Sequence, residues 1–227
     1  MMTLILATRN THKVEEIQAI LGPRQRYLSL RDFVEAPTVV ENQPTFQKNA
    51  ARKAAELARW LQGLPHLDLR VPGESAFVLA DDSGLEVDAL SGAPGVHSAR
   101  FAALEGAAGR SPRVVENSPD EANNARLLQL LKDVPLEKRT ARFRCVLSLV
   151  RVKPRQAAIA GQLFEGTCEG KIQFDPKGRG GFGYDPLFVP LGHGQSFAEL
   201  GEAVKNSLSH RAKALAKLKA HLDRLPA

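Results

Sequence analysis

Read as hydrophobic and polar positions, the chain opens on a short apolar run, Thr3 to Ala7, with the composition of a buried strand. Val14, Ile17, Ile20 and Leu21 then fall on one helical face, and Gly22-Pro23 stops that helix. Asn10 or Thr11 can cap it. Tyr27 to Leu30 reads as a weaker strand and Thr38 to Glu41 as another. A strongly amphipathic helix is expected over Thr45 to Leu61, with Thr45 as its cap and Phe46, Ala50, Ala54, Leu57, Ala58 and Leu61 as its stripe. Gln62 to Ser75 carries Gly63, Pro65, Pro72 and Gly73 and reads as a longish surface loop.

An apolar run from Ala76 to Ala80 drives into two adjacent acids, Asp81 and Asp82. A Ser83-Gly84 turn is expected next, and Leu85 to Ala89 alternates like a half-buried strand. Gly92 to Phe101 reads as an irregular loop. Ser118-Pro119-Asp120-Glu121 has the pattern of a helix start with a capping box, continuing through Ala125, Leu127, Leu128 and Leu131. Thr140 to Val152 and Gln156 to Phe164 form an expected hairpin through Lys153-Pro154-Arg155, and Phe164 to Ile172 adds further strand. Ser196 with Glu199 makes another capping box, and Leu215, Leu218, Leu222 and Leu225 mark a final helix. With no internal repeat and no clean boundary, residues 1–227 read as one domain.

Composition narrows this only a little. A length of 227 residues, 43% hydrophobic and 25% charged, fits one large domain or two lobes sharing a core. The formal net charge of +6 favours acidic partners, either nucleic acid or a polyanionic small molecule, but the basic residues are scattered and do not choose between them. Cys145 and Cys168 stand singly in strand-like runs without zinc spacing, so buried reduced thiols are expected. The amino end has no basic leader and no segment approaches a membrane span, so a soluble cytoplasmic protein is expected.

The candidate chemistry lies in the polar clusters. Two carboxylates at the mouth of a buried strand lose hydration unless a cation or hydrogen bonds replace it. Asp81-Asp82 is therefore either an acidic turn or a place to bind a divalent metal and polarise water, and Glu41 is either a loop acid or a second metal ligand. Between the first strand and helix, Thr8-Arg9-Asn10-Thr11-His12-Lys13 sits where the positive end of a helix dipole favours anions. Lys13 in that first turn opposes the dipole, a small argument for an anionic ligand. Gly178, Gly180 and Gly183 formally match G-x-G-x-x-G, but Pro186 and Leu187-Phe188-Val189 continue extended, so the helix a dinucleotide fingerprint requires is missing. No phosphate-binding P-loop pattern is present. The glycines instead let backbone approach a ligand closely while Phe182 or Tyr184 offers a flat face, unless either ring belongs to the core.

Five clusters stand in one order: Thr8-x-Asn10-x-x-Lys13; Glu41 ahead of Thr45-Phe46-x-x-Asn49-Ala50; Ala80-Asp81-Asp82-Ser83-Gly84; Gly181-Phe182-Gly183-Tyr184-Asp185-Pro186; and Ser209-His210-Arg211. On these, the chain closely resembles the inosine triphosphate pyrophosphatase family, the non-canonical purine nucleoside triphosphate pyrophosphatases, over nearly its whole length. Gly92-Ala93-Pro94-Gly95 and Ser98-Ala99-Arg100 extend the likeness. The resemblance implies an elongated two-lobed α/β fold with a long central mixed sheet flanked by helices, a cleft between the lobes, and a homodimer. It implies Mg²⁺-dependent hydrolysis of ITP, dITP and XTP to the monophosphate and pyrophosphate. By the same resemblance Thr8, Arg9, Asn10, Thr11, His12 and Lys13 bind the triphosphate, and Asp82 is general base and metal ligand. Glu41 joins Asp82 at the metal, and Ser83 touches the substrate. Phe182, Gly183, Tyr184 and Asp185, with Lys205, His210 and Arg211, make the base-recognition side. Two features depart from the pattern: the 62–75 segment is longer than is common, and Arg9 and His12 are bulkier than the glycines often found there.

The residue types suit that chemistry. A triphosphate carries close to four negative charges, and magnesium takes one or two carboxylates plus phosphate and water. Glu41 and Asp82 meet that need, while Lys13 suits an outgoing pyrophosphate. A carboxylate of ordinary pKa is a poor base, so orienting water is its expected contribution. Arg211 and His210 offer donors to a 6-oxo purine that adenine, with its 6-amino group, would leave unmet. A basic nucleic-acid-binding module, or a pyrophosphatase acting on other modified nucleotides, is the alternative.

Overall fold

The computed structural model describes residues 2–64, 75–104, 117–152 and 161–225. Six strands form one mixed sheet: β1 (Thr3–Leu6), β2 (Arg26–Ser29), β3 (Ala76–Val87), β4 (Thr140–Val152), β5 (Gln162–Ile172) and β6 (Phe188–Pro190), in the order β2-β1-β3-β4-β5-β6. β1 runs parallel to both β2 and β3, whereas β5 and β6 are antiparallel. The helices are α1 (Thr11–Leu21), α2 (Phe46–Gln62), α3 (Asp120–Leu130), α4 (Phe197–Leu208) and α5 (His210–Leu222). None of the described helices is long and apolar enough to cross a membrane.

The chain folds into two compact units, neither a single stretch of sequence. The first comprises residues Met1–Asp82, Cys145–Gly166 and Lys213–Ala227, the second Ser83–Arg144 and Thr167–Ala212. In the first, strand alternation sorts side chains between two cores. Leu4, Leu6, Phe77 and Leu79 face α1 and α5 through Ile17, Leu21, Leu215 and Leu218. Ile5, Ala76, Val78 and Ala80 face α2 through Ala54, Leu57, Ala58 and Leu61. The second unit packs Leu85, Val87, Phe143, Phe188 and Phe197 around Leu127 and Leu131 of the α3 region. There Arg139, only 2% exposed, donates to the carbonyls of Val134, Leu131 and Gln173. Both cysteines are buried and neither is in a disulfide.

Several expectations change. No turn interrupts the acidic motif: β3 passes unbroken through Asp81, Asp82, Ser83 and Gly84. Burial of Gly84 and Leu85 and the pairing of β3 with β4 override the turn preference of Ser-Gly. Thr38 to Glu41 forms no strand, because none of the four buries a side chain against a sheet. Ser118 does not cap α3; Pro119 is the N-cap without a side-chain bond, and Ser118 Oγ accepts from Ala103 N at 3.1 Å. Gly95–Arg100, expected as irregular loop, winds into a 3₁₀ helix. Ser196 and Glu199 do form the reciprocal capping box of α4. The expected hairpin turn at Lys153-Pro154-Arg155 and most of the 62–75 loop lie outside the described residues.

Candidate functional site

The polar cluster of the first unit grows out of strand periodicity. Asp81 continues the β3 face that carries Phe77 and Leu79, and so meets α1; Asp82 continues the face of Val78 and Ala80, and so meets α2. Asp81, 4% exposed, pairs through Oδ1 with Lys13 Nζ and accepts from Cys145 Sγ at 3.2 Å through Oδ2. On the other face Lys53, from α2, donates to the Asp81 carbonyl at 2.8 Å and pairs with Glu41 Oε1 at 2.8 Å. Asn49, one turn earlier on α2, hydrogen-bonds Asp82 and accepts from Gln43 N at 2.9 Å.

Asp82 is 5% exposed, and its Oδ2 has no hydrogen-bond partner. Burial pushes its carboxyl up to about 6, and the Glu41 charge adds to the rise; Lys53, Lys13 and the Asn49 hydrogen bond pull the other way. Its pKa is therefore not the ordinary one assumed from sequence, and a base that titrates near 6 can take a proton from water far better. Among the described residues no group of three or more His, Cys, Asp or Glu side chains is arranged to hold a metal ion. The protein thus offers a hard cation two carboxylates, one with an orphaned buried oxygen, and leaves further oxygens to come from substrate and water. That donor set suits magnesium.

The end of α1 adjoins this cluster through Lys13. Asn10 is its cap, accepting from Lys13 N at 3.2 Å, and Thr8 Oγ1 accepts from Asn10 N at 3.1 Å. Arg31 crosses this turn, donating to Arg9 O at 3.1 Å and Thr11 Oγ1 at 2.6 Å. Arg9 donates to Ala36 O at 3.2 Å, and the exposed His12 stands 3.8 Å from Glu15.

In the second unit, Asp185 organises the glycine-rich segment. It is 1% exposed, and its Oδ2 accepts from Phe182 N at 2.9 Å and from Lys205 Nζ at 2.6 Å. Gly181 has a φ of +74°, and a Cβ there would lie 2.1 Å from that carboxylate. The Phe182 ring has Lys205 Nζ at 4.2 Å and Arg211 Cζ at 5.7 Å from its centroid. Buried Arg211 donates to Ser83 Oγ at 2.9 Å. His210 is buried and stacks on Phe143, with centroids 4.7 Å apart and planes 12° apart. Tyr184 is also buried; its hydroxyl donates to Ser98 O at 2.8 Å, and burial pushes the phenol pKa up. Of the two aromatics in the motif, only Phe182 is partly exposed. Gly183 N donates to Asp120 Oδ2 at 2.6 Å, and Asn124 Nδ2 donates to Gly183 O at 3.1 Å.

Glu41, Asp82 and Lys13 thus share one cluster, and Ser83, Phe182, Gly183, Asp185, Lys205 and Arg211 another. The sequence reading gave no place in the site to Lys53, Arg31, Asp120 and Asn124, although it had Asp81 in the acidic motif and Asn49 in the motif that follows Glu41. Lys53 had left a signal: it falls within the apolar stripe of α2, three residues after Ala50 and four before Leu57, where a lysine needs a buried partner.

Known proteins place the chain. The model of the Ham1 family matches residues 4–221. The chain is 43% identical to a dITP/XTP pyrophosphatase of Shouchella clausii, each covered over 98% of its length. It is 45% identical to one from Geobacter sulfurreducens, covering 98% of this chain and 97% of that one. Among solved structures, a HAM1 protein from Coxiella burnetii aligns over 99% of this chain and 100% of its own, with a TM-score of 0.77 and 32% identity. A nucleoside-triphosphatase / dITP/XTP pyrophosphatase from Mycobacterium abscessus aligns over 96% and 98%, with a TM-score of 0.68 and 35% identity. Likeness of this extent, in sequence and in fold, makes the chain a member of the Ham1 family.

Proposed function

We propose that this chain hydrolyses ITP, dITP and XTP to the nucleoside monophosphate and pyrophosphate, clearing deaminated purines from the nucleotide pool. The reading rests above all on one observation: a buried Asp82 with an unpartnered oxygen, set among Glu41, Lys53 and Lys13, in a chain whose relatives are dITP/XTP pyrophosphatases. Residues 1–227 act in this proposal as one catalytic domain, in the two-lobed form with a cleft that the resemblance implies.

Asp82 and Glu41 would hold magnesium, which supplies charge neutralisation on the phosphates when bound. Asp82 also orients the attacking water and takes its proton as oxygen bonds to the α-phosphorus; the bond to the bridging oxygen breaks, and pyrophosphate leaves. Lys13 holds that leaving group, its ammonium steadied by Asp81, while the Thr8 to Lys13 turn offers the positive end of α1. Lys53 ties Glu41 to the β3 backbone and keeps the two acids together despite their repulsion.

Base choice falls to the second set. Phe182 stacks on the purine, which contributes about 1–3 kcal/mol without selectivity. Arg211 donates to a 6-oxo group, and its bond to Ser83, the residue after Asp82, fixes the direction of that donation. Adenine would leave the buried guanidinium unmet, a mismatch worth up to about 10⁴-fold in discrimination. Tyr184 and His210, both buried, serve by fixing the Gly181–Asp185 segment and the start of α5. The homodimer implied by the resemblance is part of the proposal.

The test is to incubate purified protein with Mg²⁺ and ITP, dITP, XTP, ATP, GTP or dTTP, and identify the products. Pyrophosphate from ITP, dITP and XTP, with little from ATP and GTP, is expected. Release of orthophosphate, or equal turnover of all six, would refute the reading. Light scattering on the same sample should report two chains per particle.

A further inference from the structure

We infer that Asp120 and Asn124 of α3 are positioning residues that set how tightly the purine is held by clamping Gly183, an inference resting on the functional reading above. The two lie one helical turn apart, on one face of α3. Asp120 Oδ2 takes the Gly183 N–H at 2.6 Å, and Asn124 Nδ2 gives to the Gly183 carbonyl at 3.1 Å. Both backbone polar groups of one residue are therefore held by side chains of one helix.

That residue is placed where the holding matters. Gly183 follows Phe182, the partly exposed ring, and has a φ of +63°, a conformation that supplies no sheet or helix ladder of its own. A groove of about 500 Å³ opens along this seam, lined by Asp120, Asn124, Gly181, Phe182 and Gly183 among others. With space on that side, hydrogen bonds must do what side-chain packing does elsewhere. Asp185 fixes the Phe182 N–H, and the α3 clamp fixes the next residue, so the ring is held from both of its peptide links.

The competing account is that Asp120 merely favours the helix dipole in the first turn of α3. Its carboxylate instead takes the Gly183 N–H of the loop. Asn124, at 9% exposure, spends its amide nitrogen on the same glycine. The dipole account predicts an effect on stability alone, whereas the clamp predicts an effect on the KM of a substrate that carries a base.

The experiment measures kcat and KM for ITP with wild type, Asp120→Ala, Asp120→Asn and Asn124→Ala, alongside inhibition by tripolyphosphate. A loss of folded molecules lowers kcat and leaves KM untouched. For Asp120→Ala the KM for ITP should rise about tenfold with little change in kcat, as expected on losing one charge-assisted hydrogen bond. Asp120→Asn, which keeps an acceptor oxygen and guards against a folding failure, should fall between Asp120→Ala and wild type. Inhibition by tripolyphosphate, which has no base, should stay unchanged. An unaltered KM for ITP in the Asp120 and Asn124 variants, with wild type active on ITP, would overturn the clamp alone. A wild type inactive on ITP would overturn the functional reading and the clamp with it.

Discussion

At the scale of single residues, Asp82, the base and metal ligand of the proposal, is a group held at a cost to the fold. Its pKa of about 6 lies above the ordinary 3.8, so the folded chain binds a proton there more tightly than the unfolded chain does. The ionised carboxylate therefore destabilises the fold: nothing is lost below about pH 4, and the full penalty is present above about pH 6, where it corresponds to roughly 3 kcal/mol. Asp82→Asn should then fold and melt higher than wild type at pH 7.5 without metal. The gain should vanish as pH falls below about 4, while ITP turnover drops at least about a hundredfold. Thermal melts across pH together with turnover check this; a lower melting temperature at pH 7.5, or unchanged turnover, would remove Asp82 from its role.

At the scale of elements, the glycine-rich segment offers a sharper comparison. Gly181 and Gly192 both adopt left-handed backbone, with φ of +74° and +85°. A methyl group at Gly192 meets open space, whereas at Gly181 it would strike the Asp185 carboxylate. Both alanine variants should lose about 1 kcal/mol from backbone strain. Only Gly181→Ala should also raise KM for ITP, because displacing Asp185 frees both Phe182 N and Lys205. Equal KM values in the two variants would refute that account.

The same scale shows what the sequence disclosed. Periodicity placed α2, α4 and β1 well, because an amphipathic stripe, a capping box and an apolar run are local signals. It failed at β3, where Ser83-Gly84 carries turn chemistry and only burial and the pairing of β3 with β4 force extension. It failed too at Ser118, whose hydroxyl serves a distant backbone instead of its own helix. The acids and cations of the candidate site were legible as motifs. Their partners were not, because Lys13 and Asp81 lie far apart along the chain and Lys53 hides within a helix stripe.

At the scale of the whole molecule, charge is the feature most open to misreading. A net +6 invites the idea of a nucleic-acid-binding protein, since neutralising phosphates releases counterions and drives association. Yet the buried cations are already spent: Lys53 on Glu41, Lys205 on Asp185, Arg139 on three carbonyls and Arg211 on Ser83. Arg142, though nearer solvent, is engaged with Asp88 and Glu169. These ion pairs already cancel within the +6, so what argues against a nucleic-acid partner is that the basic residues are scattered along the chain and that surface cations act over only about 8 Å at physiological salt. A large excess of duplex DNA at about 150 mM salt should therefore leave ITP hydrolysis unchanged, while tripolyphosphate inhibits it. Competitive inhibition by DNA that disappears with added salt would instead mean that the surface cations, not the buried ones, choose this protein's partner.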